Sequence, residues 1–238
     1  MSFEKNIILL HGWGANTKKL EALAQSLRVK KWKVLIPELP GFDAPEPDKE
    51  WSLAEYAEFV TRFAGKAFGR QKYYVFGHSF GGGIALKLAV KNANSPNGIV
   101  LCANRGISRG NPIKRGIFYL LAKAGKVFVS VLPLANSWRK ILYMAAREHD
   151  YEKTSPKMKG IFKKVVAEDL KPLISQIKLP TLVLWGKDDR ITPVSDAYFL
   201  KKNLKNSKVL IFENQGHRLP YESPQVLANE INIWATEK

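Results

Sequence analysis

Short runs of continuous apolar residues alternate along the chain with longer segments in which apolar positions recur three and four apart. The first pattern suits strands covered on both faces and the second suits helices, and their alternation marks an α/β protein with a mainly parallel sheet. Six strands are predicted, at Asn6 to Leu10, Lys33 to Ile36, Tyr73 to Phe76, Gly98 to Ala103, Thr181 to Trp185 and Lys208 to Phe212. Helices are predicted at Leu20 to Val29, Leu53 to Phe68, Gly82 to Val90, Val194 to Leu204 and Pro224 to Trp234. The alternation breaks once. From Arg105 to about Lys178 helical patterns continue without a convincing strand, with candidates at Pro112 to Val131, Ser137 to Glu148 and Ser155 to Glu168, punctuated by Pro112, Pro133 and Pro156. The chain therefore divides into a core of residues 1–104 and 176–238 and an inserted helical segment, 105–175.

Composition changes this picture in two respects. The 238 residues, 45% hydrophobic and 25% charged, form an ordinary folding chain, which excludes disordered and disulfide-scaffold readings. A single cysteine, Cys102, lies in the apolar run GIVLCAN and reads as a buried small hydrophobe, as expected in a reducing compartment. The opening MSFEKNIILL carries an acid and too short an apolar run for a signal peptide, and the stretch Ile117 to Leu134 is broken by Lys123, Lys126 and Pro133. A cytoplasmic protein without a transmembrane helix is expected. The charge is abnormal: 38 basic against 21 acidic side chains leave +17, and a field of that size concentrates anionic partners. Residues 105–175 hold fifteen Lys or Arg against five acids, so this segment carries +10 of the total.

One motif carries chemistry. Gly77-His78-Ser79-Phe80-Gly81 matches G-x-S-x-G, and it follows the apolar strand YYVF and precedes the helix GGGIALKLAV. That strand-turn-helix context lifts a serine hydroxyl above a sheet on a turn too sharp for side chains at the glycine positions. A serine needs a base to take its proton and an acid to orient the base. The strand TLVLW runs into Gly186-Lys187-Asp188-Asp189-Arg190, and the strand KVLIF runs into Glu213-Asn214-Gln215-Gly216-His217. Ligands of open α/β sheets bind beyond the carboxyl ends of strands, so Ser79, an aspartate and His217 reach one edge in the order Ser, Asp, His. Of the other histidines, His11 and His78 belong to turn motifs and His149 to the basic insertion.

The segments ILLHGWG at 8–14, IPELPGFD at 36–43, VFGHSFGG at 75–82, LVLWGKDDRITP at 182–193 and NQGHRLPYESP at 214–224 together resemble the α/β-hydrolase superfamily over nearly the full chain. The resemblance implies an α/β-hydrolase fold, with Ser79 as nucleophile and His217 as general base and then acid. The family's W-G-x-x-D pattern selects Asp189 as the orienting acid, with Asp188 as the alternative. The resemblance also implies an oxyanion hole from the amides of Trp13 and Phe80 and a helical cap in the 105–175 insertion. The sequence offers no metal-ligand cluster and no phosphate-cradling glycine loop, so no cofactor or metal is expected. Two departures stand out. The chain starts almost on the strand before HGWG, which predicts a sheet trimmed of opening antiparallel strands. Asp43 follows PGF where a small residue is commoner, and is expected at the surface.

The function implied is a serine hydrolase cleaving a carboxylic ester or thioester through an acyl-enzyme. A carbon-carbon bond hydrolase and a cofactor-free perhydrolase share the same three groups. A non-catalytic ligand binder has no need of them, and nucleic-acid binding lacks any recognisable motif despite the charge. Arg105, Arg190 and Arg218 follow a strand end or a triad residue, where a guanidinium can hold a substrate carboxylate or phosphate. The basic insertion reads as a cap with its lysines in water, or as a docking face for an acidic acyl carrier protein or an anionic membrane.

Overall fold

The structure, a computed structural model, describes residues 5–91, 96–107 and 155–237. Helix candidates 112–131 and 137–148 lie outside the described residues. Six strands form one sheet: β1 (Lys5–Leu10), β2 (Trp32–Leu35), β3 (Tyr74–His78), β4 (Gly98–Cys102), β5 (Thr181–Gly186) and β6 (Ser207–Phe212). Their order is β2-β1-β3-β4-β5-β6, and every pairing is parallel. Numbered in chain order over the described residues, the helices are α1 (Glu21–Val29), α2 (Leu53–Phe68), α3 (Phe80–Lys91), α4 (Pro156–Ala167), α5 (Lys171–Ile174), α6 (Ser195–Asn203), α7 (Leu219–Glu222) and α8 (Pro224–Thr236). None of the described helices is long and apolar enough to cross a membrane.

The helices cover both faces of the sheet, which is why its central strands are apolar without alternation. On one face α2, α3, α4 and α6 pack through Tyr56, Val60, Ile84, Leu88, Ile161 and Leu200 against Ile8, Val75, Leu101 and Val183. On the other, α1 and α8 pack through Leu23, Leu27, Leu227 and Ile231 against Ile7, Phe76, Val100 and Leu184. Trp32 of edge strand β2 donates its indole N–H to Asn232 on α8 at 2.9 Å, tying that edge to the last helix.

Local rules explain most boundaries. Helix α2 begins at a capping box, in which the Ser52 backbone N–H donates to the Glu55 carboxylate at 2.6 Å. Ser155 caps α4, accepting the Met158 N–H at 3.1 Å. Strand β4 stops one residue before the expected Ala103, whose φ of 46° is incompatible with an extended ladder. The short helices α5 and α7 have no counterpart in the sequence reading, because four residues opened by a proline leave no periodicity to detect.

The order of the strands locates a topological switch point. The chain runs from β1 outward to β2 and then returns to β3 on β1's other side, so the switch lies between β1 and β3 at the sheet's carboxyl edge. Helix α4 reaches the same edge, with the Phe162 ring 5.0 Å from Trp13 and Lys164 3.4 Å from Glu50.

Leu101 is fully buried in β4 at the centre of the sheet. Leu101→Ala should cost ~2–5 kcal/mol, because rigid neighbouring strands cannot collapse into the void. Urea unfolding should show a lower midpoint at unchanged slope; an unchanged midpoint would mean the site is not packed as described.

Candidate active site

Ser79 stands between β3 and α3 with φ of 51°, a left-handed conformation that a serine adopts only under constraint. The constraint is backbone packing. A Cβ on Gly77 would lie 2.3 Å from the Gly81 carbonyl oxygen, and one on Gly81 would lie 2.4 Å from that of Leu10. Hydrogen bonds fix the turn from all sides: Ser79 N–H donates to the Cys102 carbonyl at 3.0 Å, Gly81 N–H to that of His11 at 3.1 Å, and Arg105 N–H to that of Ser79 at 2.9 Å. The serine thus sits at the N-terminus of a twelve-residue helix, where the backbone dipole favours developing negative charge.

The loops after β5 and β6 bring the aspartate and histidine together. His217 Nδ1 donates to Asp189 Oδ2 at 2.8 Å, whereas Asp188, the sequence alternative, is exposed to solvent. Asp189 is buried and heavily solvated by the protein itself. Its Oδ1 accepts the Ile191 and Thr192 amides, both at 2.8 Å, and its Oδ2 lies 2.8 Å from the Thr192 hydroxyl. Burial alone would raise this carboxyl, but the bond and charge of His217 and the Thr192 donors outweigh it and hold Asp189 below its ordinary value. Thr192 is held in turn, its hydroxyl 3.1 Å from the Ala103 carbonyl and its own carbonyl accepting Trp185 Nε1 at 2.7 Å.

His78, read from sequence as a turn residue, is the strut between the elbow and the His217 loop. Its Nε2 donates to the His217 carbonyl at 2.8 Å, which leaves Nδ1 to accept the Tyr221 hydroxyl at 3.0 Å. The His78 and His217 rings lie 4.9 Å apart. Burial, with His217 nearby, lowers the His78 pKa to about 3, so this imidazole is neutral at working pH. Sequence reasoning missed the roles of Thr192 and Tyr221. The first has a signal, since an aspartate accepting amides two and three residues on is a turn preference of that residue. The second has none, because α7 carries no legible period.

The loop after β1 forms the other wall. A Cβ on Gly12 would lie 3.4 Å from Ser79 Cβ, so Trp13 follows directly on the backbone that passes the serine. The Trp13 ring packs edge-on to Phe80 at 5.3 Å and to Phe42 at 5.0 Å, making an apolar wall with Phe162 beside the elbow. His11 is fully buried, its Nδ1 donating to the Gly12 carbonyl at 2.9 Å, and burial lowers its pKa. Asp43 lies at the surface, but its carboxylate turns in to accept the Thr17 N–H at 2.7 Å, 3.7 Å from His11 Nε2. Of the three arginines, Arg190 and Arg218 are exposed, with Arg218 3.3 Å from Glu222, and Arg105 contributes its backbone to the elbow. The residues at 139, 140 and 147 and most of the basic insertion lie outside the described residues. Cys102 is buried beneath this edge, and burial pushes its thiol up.

Two buried neutral histidines set an acid limit on stability. His78 is about 3 when folded and 6.5 ordinarily, so between these values the unfolded chain binds the extra proton and stability falls as pH falls. His11, lowered in the same direction, adds to the effect. Above the ordinary value neither contributes a slope. His78→Gln keeps a donor and an acceptor but removes the titration, and should flatten the pH 6 to pH 4 limb of urea-unfolding stability by up to ~1.4 kcal/mol per pH unit. An unaltered limb would mean that His78 titrates freely in the folded protein.

The pattern of the Alpha/beta hydrolase family matches residues 7–230. The chain is 26% identical to the AB hydrolase superfamily protein YisY of Bacillus subtilis, covering 92% of this chain and 87% of that protein. It is 26% identical to the 2-hydroxymuconate semialdehyde hydrolase of Pseudomonas putida, covering 97% and 86%. The crystal structure of a bacterial membrane phospholipase A superposes with a TM-score of 0.75 at 27% identity, covering 99% of this chain and 80% of that one. With a parallel sheet switching between β1 and β3, a strained serine at the elbow and a family match across nearly its whole length, this chain belongs to the Alpha/beta hydrolase family.

Proposed function

We propose that the protein hydrolyses a carboxylic ester or thioester through an acyl-enzyme, with Ser79 as nucleophile, His217 as base and acid, and Asp189 as orienting group. The observation that carries this reading is the 2.8 Å bond from His217 Nδ1 to a carboxylate already held by the Ile191 and Thr192 donors. Because Nδ1 carries the proton, Nε2 is left basic and free to take the Ser79 hydroxyl proton as Oγ attacks the substrate carbonyl. The imidazolium so formed is stabilised by Asp189, which stays ionised. The amides of Trp13 and Phe80 stabilise the oxyanion, a pair of donors worth ~3–4 kcal/mol each in such sites. Collapse expels the alcohol or thiol with the proton from His217, and water, deprotonated by the same imidazole, releases the acid and restores Ser79.

The aromatic wall of Trp13, Phe42, Phe80 and Phe162 supports an apolar acyl group over a charged one. Likeness to the 2-hydroxymuconate semialdehyde hydrolase supports a second reading, carbon-carbon bond hydrolysis by the same groups. The +10 charge of residues 105–175 supports delivery of the acyl group by an acidic carrier protein, a reading that rests largely on residues outside the described ones.

Wild-type protein should react with a fluorophosphonate probe and turn over p-nitrophenyl esters, and Ser79→Ala should lose both, with rates down roughly 10⁴-fold or more at unchanged melting temperature. Retained turnover in Ser79→Ala would refute the mechanism. Asp189→Asn should slow turnover by roughly 10⁴-fold while Asp188→Asn stays near wild type, and the reverse ranking would move the orienting role. Preference for 2-hydroxymuconate semialdehyde over every ester in a chain-length panel would select the second reading.

A further inference from the structure

In an all-parallel sheet every strand begins at the same edge, here the edge opposite Ser79, Asp189 and His217. Five of the six strands have a lysine at or within three residues of their start at that edge: Lys5 on β1, Lys33 on β2, Lys72 before β3, Lys178 before β5, and Lys205 and Lys208 around the start of β6. The β1–β3 register, carried back from the Ile7–Tyr74 pair, sets Lys5 beside Lys72, and the Asn6 side-chain amide donates to the Lys72 carbonyl at 2.9 Å. Like charges side by side on neighbouring strands are destabilising. Helices that return to this edge end in further cations, Lys66 on α2 and Lys201 and Lys202 on α6. The helix dipole accounts for those, but it does not account for lysines that open strands.

Charge is not the only unusual feature there. Val29, the last residue of α1, is 77% exposed, and Ile233, in the last turn of α8, is 45% exposed. Helices α1 and α8 pack on each other and both end at this edge, so two bare aliphatic side chains stand among the lysines. Nucleic acid would favour arginine forks and exposed stacking rings, whereas Trp32, Phe68, Tyr73 and Tyr74 at this edge are all buried. Flexible ammonium groups around small aliphatic protrusions match a phospholipid surface, which takes cations at its headgroups and aliphatic groups just below them.

We propose that the amino-terminal edge of the sheet is a docking surface for an anionic phospholipid bilayer, with the Ser79 edge turned away towards solution. This does not depend on the reaction proposed above. Lys72, Lys178 and Lys205 are exposed and make no ion pair among the described residues, so they are the positions to reverse.

The test is sedimentation of the full chain with vesicles of phosphatidylcholine alone or with about 30% phosphatidylglycerol. Wild type should pellet with the anionic vesicles only, and be released as salt rises from ~0.05 to ~0.5 M. Lys72→Glu/Lys178→Glu/Lys205→Glu should weaken binding by roughly 100-fold or more, with the circular dichroism and melting temperature of wild type. Should the triple variant fold poorly, Lys72→Glu and Val29→Asp tested singly should each weaken binding severalfold. Absence of anionic preference, wild-type binding by these variants, loss of binding through Arg139→Glu/Lys140→Glu/Arg147→Glu instead, or preference for duplex DNA over vesicles would each overturn the proposal.

Discussion

The site depends on one backbone crossing, where the elbow passes over the end of β1. Gly81 N–H donates to the His11 carbonyl, and the Leu10 carbonyl lies where any side chain at 81 would be. No larger residue can stand there without separating β1 from β3, and that pair is the topological switch of the sheet. The same crossing forces Ser79 into its left-handed conformation and brings the Gly12-Trp13 backbone against it. Ser79 and the Gly12-Trp13 backbone are therefore one piece of geometry, supported by β1 and β3.

Around this crossing the protein substitutes its own dipoles for water. Asp189 keeps its charge in a buried position because three donors and His217 surround it, and Thr192 is fixed in turn by Ala103, just past β4, and by Trp185 of β5. His78 follows the opposite course. It has a carbonyl on one nitrogen and a hydroxyl on the other, so its neutral form satisfies every bond and its charged form none better. Two imidazoles 4.9 Å apart thus have separate duties, one held neutral as a strut and one paired with a carboxylate.

A parallel sheet is also polar in a sense that composition hides. Every crossover returns to the same edge, so each end of the molecule collects one kind of loop. The carboxyl edge gathers the serine, aspartate and histidine loops, and the amino edge gathers lysines that in sequence are scattered over two hundred residues. A net charge of +17 appears in the sequence as a single number, concentrated most visibly in residues 105–175. Only the register of the strands reveals that part of it forms a second concentration, at the edge opposite Ser79, Asp189 and His217.

Much of the fold was legible because its signals are local or periodic. Continuous apolar runs mark strands buried on both faces, amphipathic segments mark the covering helices, and Gly77-His78-Ser79-Phe80-Gly81 marks the turn between β3 and α3 through steric demands that operate within five residues. The mainly parallel character followed from alternation, and the common edge for Ser79, an aspartate and His217 from their places just after strand ends. What the sequence left open was decided by contacts between distant segments. Asp188 and Asp189 are chemically identical neighbours, and only the fold of the loop after β5 buries one beneath His217 and leaves the other in water. His78 looked like a turn residue because its partners, the His217 carbonyl and Tyr221, lie 139 and 143 residues away. Asp43 looked like a surface residue, and its carboxylate turns in because the loop after β1 supplies the Thr17 amide. Such choices depend on hydrogen bonds with large sequence separation, and no local pattern records those.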